Sequence, residues 1–120
     1  MTEPFSVSAR LKSFKHAFAG LAILLREQHN ARIHLLATLI VLGLAAWLDV
    51  TRTDWVLLLL TMAMVWMAEA LNSGLEYLCD AAVPDHHELI ARAKDVAAAG
   101  VLICATVAVI VGVLVFLPYL

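Results

Sequence analysis

The sequence predicts an all-α integral membrane protein, and three observations carry that reading. The 120 residues are 63% hydrophobic with a mean hydropathy of +0.91, more apolar than an ordinary soluble domain of this size. The apolar residues gather into long uncharged runs, approaching the roughly 20 residues needed to cross a bilayer. Each run ends at a helix-stopping or polar signal: the corner around Asp49 and Asp54, then Pro84, then Pro118. The length allows one domain, 1–120.

In chain order, residues 8–27 predict a surface helix. Leu11, Phe14, Phe18, Leu21 and Leu25 recur at helical spacing, with Arg10, Lys12, Lys15 and His16 mostly on the other side. That pattern suits a helix lying in the membrane interface rather than crossing it. Packing of the same apolar stripe on protein is the plainer alternative. A first span over 31–48 is entered through Arg32 and closed by the interface-favouring Trp47. A second, over 55–81, begins at Trp55 and stays apolar or small as far as Ala68, apart from Thr61. A third covers 91–117 and is free of charge from Val96 onward.

Cations decide the expected orientation. Arg10, Lys12, Lys15, Arg26 and Arg32 precede the first span, and Arg92 and Lys94 lie between the second and third. Arg52 alone falls on the opposite side, so the N-terminus and the 80–95 loop are expected in the cytoplasm and the C-terminus outside. The protein is accordingly expected to be a multi-pass protein of the inner (cytoplasmic) membrane. No cleavable leader is expected, because the first apolar stretch comes late and further spans follow. A net charge of −2 and a pI near 6.2 argue against a nucleic-acid partner. Cys79 and Cys104 lack CxxC spacing and sit in apolar surroundings, as inert buried thiols do.

The informative chemistry lies in residues 68–80, AEALNSGLEYLCD. At roughly 100° per residue, Glu69, Asn72, Ser73, Glu76 and Asp80 share one arc of about 100°. Counting from Trp55, Glu69 falls inside the hydrocarbon and Glu76 near the cytoplasmic interface. An ionisable group at such depth is costly unless it faces a protein interior or cavity. Helix association alone would explain Asn72 and Ser73, but five polar groups exceed what it needs. A carboxylate as deep as Glu69 suits a general base acting on a neutral hydroxyl. Carboxylates near the water boundary suit Mg²⁺, which takes one or two of them and leaves its other positions to water and phosphate oxygens. One substrate from each phase is implied.

Residues 85–95, DHHELIARAKD, add Asp85, His86 and His87 before a charged helical start, with Lys94 and Asp95 at the mouth of the third span. A lysine there can hold polyphosphate as a point charge. Zinc is disfavoured, since adjacent histidines splay apart and no cysteine lies nearby. Neither a Walker loop nor the protein-kinase motif set is present, so a nucleotide enzyme this small needs a site assembled between subunits. The small residues Ala97, Ala98, Ala99, Gly100 and Gly112 favour close helix contact and hence an oligomer.

The segments EALNSGLEYLCD and HELIARAKD, the preceding HNARIHLLAT and the three-span layout together resemble the prokaryotic diacylglycerol kinase and undecaprenol kinase family, over about residues 9–118. The resemblance implies a domain-swapped homotrimer that phosphorylates a membrane lipid alcohol with MgATP. It implies Glu69 as the base, Asn72 as an orienting residue and Ser73 beside the lipid. Glu76 would hold Mg²⁺ and the γ-phosphate. Arg10, His16, Asp85, His86, His87, Lys94 and Asp95 would contact ATP. One departure stands out: where many members carry a second metal-binding glutamate before the first span, this chain has Gln28, with Glu27 one step earlier and Asn30 in place. The run NARIHLLAT and the ending GVLVFLPYL are closer to the undecaprenol branch, and WLDV to the diacylglycerol branch. Two other readings compete: a small proton-coupled transporter using Glu69 as its carrier, and a non-catalytic helical subunit.

Overall fold

The computed structural model describes residues 2–120 and is helical throughout, with no strand among the described residues. Its elements are α1 (Val7–Glu27), α2 (His29–Leu48), α3 (Arg52–Ala82) and α4 (Glu88–Phe116), followed by a 3-10 turn, Leu117–Tyr119. The last three helices are long and apolar enough to cross a membrane.

Local chemistry sets each boundary. Ser6 caps α1 by accepting from the Ala9 backbone N–H. Between α1 and α2 the chain breaks only at Gln28, which leaves the helical region with φ −103° and ψ 114°. Arg32 then turns back onto the carbonyls of Leu25 and Arg26, which the end of α1 leaves without helical partners. At the far end of α2, Asp49 adopts the left-handed conformation (φ 51°) and the Val50 N–H bonds back to the Ala45 carbonyl. This is the closure that ends many helices, and aspartate tolerates it because its short side chain bonds locally.

Two spans begin earlier than their apolar runs. Thr51 accepts from the Asp54 N–H, so α3 starts in the polar corner at Arg52 rather than at 55. The His87 ring nitrogen Nδ1 accepts from the Leu89 N–H, so α4 starts at Glu88 rather than 91. A capping side chain supplies the acceptor that hydropathy cannot register.

α3 is the organising element. Its 31 residues run about 46 Å at 1.5 Å per residue, and it pairs most extensively with α4. Ala45, Val50, Leu58, Val115 and Phe116 form the apolar core where the C-terminal end of α2, the start of α3 and the end of α4 meet. Tyr119 fastens that end: its hydroxyl donates to Asp54 Oδ2 at 2.7 Å and accepts from the Thr51 N–H at 3.2 Å. Most other large apolar side chains point outward, as expected of a surface solvated by lipid. No atom comes within 4 Å of where a Cβ on Gly100 or Gly112 would sit. No close helix approach is therefore made at these two glycines among the described residues.

Candidate active site

The polar arc of α3 is where the interior of this protein is charged. Glu69, Asn72 and Ser73 are 1%, 8% and 2% exposed, and Glu69 is the largest fully buried side chain. Helical phase brings them onto one face. Ser73 Oγ donates to Glu69 Oε1 at 3.4 Å, and Asn72 Nδ2 donates to Glu76 Oε1 at 3.4 Å. Each bond spans one helical turn and couples a buried group to its neighbour along the same face.

One partner of Glu69 comes from a residue that the sequence reading did not single out. His34 on α2 places Nε2 3.4 Å from Glu69 Oε2. The distance is that of an ion pair, but the alignment falls short of a hydrogen bond. His34 Nε2, Glu69 Oε2 and Asn72 Oδ1 are thus buried without a hydrogen-bond partner among the described residues. Trp66 meets His34 at its ring and, through Thr38, at its backbone. The imidazole meets Trp66 edge-on at 6.3 Å and 67°, while Trp66 Nε1 donates to Thr38 Oγ1, which donates to the His34 carbonyl. The available signal was positional: His34 lies about one helical turn inside an apolar run, where an ionisable side chain needs a reason.

The charged and polar residues beyond the buried arc fall into two groups. Lys94 Nζ reaches Asp80 Oδ1 at 2.6 Å, tying the start of α4 to the polar end of α3. Glu76 is half-buried one turn before Asp80. At the α1–α2 corner, the Tyr77 hydroxyl donates to Glu27 Oε2 at 2.9 Å and accepts from Gln28 Nε2 at 3.2 Å. Both candidates for the missing glutamate therefore gather at the residue next to Glu76. Arg10 and His16 are exposed on α1, Asp85 and His86 are exposed in the α3–α4 loop, His87 caps α4, and Asp95 is exposed beside Lys94. Among the described residues, no hydrogen bond or ion pair joins these six to Glu76.

Among the described residues, no three His, Cys, Asp or Glu side chains cluster as a closed metal cage. The donors still suit Mg²⁺. Glu76 offers a carboxylate, the α1–α2 corner offers oxygens of Glu27 and Gln28, and the Asn72 oxygen is buried without a donor. Mg²⁺ is commonly held in this way by one or two carboxylates, with phosphate and water completing its shell.

A cleft of about 420 Å³ opens beside Ser73, between α1 and α3, and is lined by Ala17, Gly20, Leu24, Gly74 and Tyr77. A larger apolar groove of about 630 Å³ lies between α2 and α4 and runs from His34 to Leu120.

A buried carboxylate on a polar helix face, flanked by an apolar cleft and a charged rim, defines a membrane enzyme working between lipid and water. The model of prokaryotic diacylglycerol kinase matches residues 15–116. The chain is 33% identical to undecaprenol kinase of Bacillus subtilis, over 91% of this chain and 89% of that protein. It is 36% identical to diacylglycerol kinase of Escherichia coli K12, over 83% and 82%. It is 40% identical to diacylglycerol kinase of Synechocystis, over 90% of this chain and 62% of that longer protein. The chain belongs to the prokaryotic diacylglycerol kinase family. It is therefore an ATP-dependent lipid kinase and a multi-pass membrane protein, and this kinship lends no support to a transporter.

Proposed function

We propose that the chain transfers the γ-phosphate of MgATP to the hydroxyl of a membrane lipid alcohol, either undecaprenol or a diacylglycerol, with Glu69 as general base. The observation that carries this reading is the near-complete burial of Glu69 beside Ser73, at the edge of an apolar cleft. A lipid whose tail lies against Gly20, Leu24 and Gly74 presents its hydroxyl at Ser73. Glu69 takes the proton as the hydroxyl oxygen attacks the γ-phosphorus, and ADP leaves. Phosphoryl transfer of this kind asks the protein for positioning and charge compensation, with little covalent work.

Glu76, with Gln28 or Glu27 across from it, would hold Mg²⁺, which neutralises charge on the β- and γ-phosphates. Asn72 orients the Glu76 carboxylate through its amide. Lys94, released from or shared with Asp80, meets the polyphosphate. Asp95, Asp85, His86, His87, Arg10 and His16 complete the nucleotide site from a neighbouring protomer or after closure. The domain-swapped homotrimer accounts for their separation within one chain, and for the open space around Gly100 and Gly112. α1 lies in the cytoplasmic interface of the inner membrane with its Phe14 and Phe18 stripe in lipid, and the C-terminus lies outside.

The test is a side-by-side assay of the purified protein with γ-labelled ATP and Mg²⁺, using undecaprenol and diacylglycerol in separate bilayers. Label in the lipid fraction from either alcohol supports the reading, and the ratio of rates assigns the branch. Absence of labelled lipid from both sinks it.

A further inference from the structure

Resting on the kinase reading above, we propose that His34 is the positioning residue for Glu69. In the reacting state its Nε2–H donates to Glu69 Oε2, which leaves Oε1 turned toward Ser73 and the lipid hydroxyl.

Three features of the structure converge on this role. The two atoms are 3.4 Å apart, and each is buried with no hydrogen-bond partner. Leaving two such groups unpaired side by side is costly, and a small rotation that joins them satisfies both at once. The carboxylate is also addressed on its two oxygens by different helices, Ser73 of α3 on Oε1 and His34 of α2 on Oε2. A single hydrogen bond leaves a carboxylate free to rotate, whereas donors on both oxygens fix its plane. Finally, Trp66 borders the imidazole and is itself anchored to α2. Trp66 packs against the His34 ring, and the Trp66–Thr38 link bonds the His34 backbone carbonyl. A histidine retained only for packing would not need a carboxylate at its nitrogen, and a leucine would fill the space between α2 and α3 at lower cost in the membrane.

The ionised carboxylate can only accept, so its partner nitrogen must carry the proton. The proposal therefore requires a proton on His34 Nε2. Glutamine places an amide N–H near the same position, whereas leucine fills a similar volume with no donor.

The experiment measures lipid phosphorylation at saturating lipid by the wild type, His34→Gln and His34→Leu, each in bilayers, together with thermal unfolding of each protein in detergent. The expected result is that His34→Leu lowers kcat about 10²-fold, a loss on the scale of a misplaced general base. The KM for ATP stays within about twofold of the wild type, because the nucleotide does not meet this residue. His34→Gln recovers at least about a tenth of the wild-type kcat. Three outcomes overturn the proposal in a protein whose wild type is active. In one, His34→Leu turns over within about threefold of the wild type. In another, His34→Gln is as inactive as His34→Leu while unfolding like the wild type. In the third, the loss falls on the KM for ATP instead of kcat. An inactive wild type would instead overturn the kinase reading itself. Should His34→Leu fail to fold, His34→Gln decides alone: folded and inactive contradicts the proposal, folded and active supports it.

Discussion

The ammonium of Lys94 lies 2.6 Å from the carboxylate of Asp80, so the cation expected to meet ATP already has an anionic partner one helix away. Both groups are at least partly exposed, and an ion pair in that setting contributes little to stability. What the pair does is hold Lys94 at the polar end of α3. Replacing Lys94 by Met is expected to raise the KM for ATP by about tenfold or more, through loss of a charge on the polyphosphate, with little change in the KM for lipid. Asp80→Asn frees the ammonium and is expected to change the KM for ATP less than Lys94→Met does. Steady-state kinetics with each substrate varied in turn check both.

Mg²⁺ dependence probes the α1–α2 corner. Gln28 and Glu27 both reach the Tyr77 hydroxyl, so the local oxygen set holds one carboxylate where a glutamate at 28 would bring a second. A carboxylate oxygen binds Mg²⁺ more tightly than an amide oxygen. Gln28→Glu is therefore expected to lower the Mg²⁺ concentration that gives half-maximal rate, and Glu27→Gln to raise it. Glu76→Gln raises it further and cuts the rate about 10²-fold or more, as loss of a charge-neutralising group in phosphoryl transfer should. A chelator abolishes turnover, and added Mg²⁺ restores it.

At the C-terminal end of the chain, Tyr119 bonds both the Asp54 carboxylate and the Thr51 backbone, closing the 3-10 turn onto the α2–α3 corner. Glu69 stands 15 residues along α3 from Asp54, about 22 Å at helical rise. Tyr119→Phe is accordingly expected to lower the unfolding midpoint by a few degrees at most, on the scale of a lost hydrogen bond in a chain of this size. The rate per folded molecule should stay unchanged. Thermal unfolding in detergent, paired with an activity assay, separates the two effects.

Much of this fold was legible because lipid imposes long uncharged runs, and each run became one helix. The capped starts at Arg52 and Glu88 were not legible as such, since Thr51 and His87 act through single side-chain bonds inside polar stretches that hydropathy discards. The candidate site divides in the same way. Glu69, Asn72, Ser73 and Glu76 lie on one helix, where 3.6-residue periodicity alone places them on a face, and the structure puts the first three in the interior. His34 approaches from α2, 35 residues earlier, and helical phase within α3 carries no information about it. The same holds for the Glu27–Tyr77–Gln28 contact, which joins elements 49 and 50 residues apart. Relations within one helix can be read from spacing, whereas relations between helices require the packing.

The proposed chemistry turns on Glu69, the carboxylate buried beside Ser73, taking the proton from the lipid hydroxyl. Its most direct test is single-turnover transfer of labelled γ-phosphate from ATP to lipid by the wild type and by Glu69→Gln, with binding of both substrates measured on each. Glu69→Gln is expected to bind ATP and lipid as the wild type does and to transfer phosphate at least about 10²-fold more slowly. Transfer at the wild-type rate by a folded Glu69→Gln protein would contradict it.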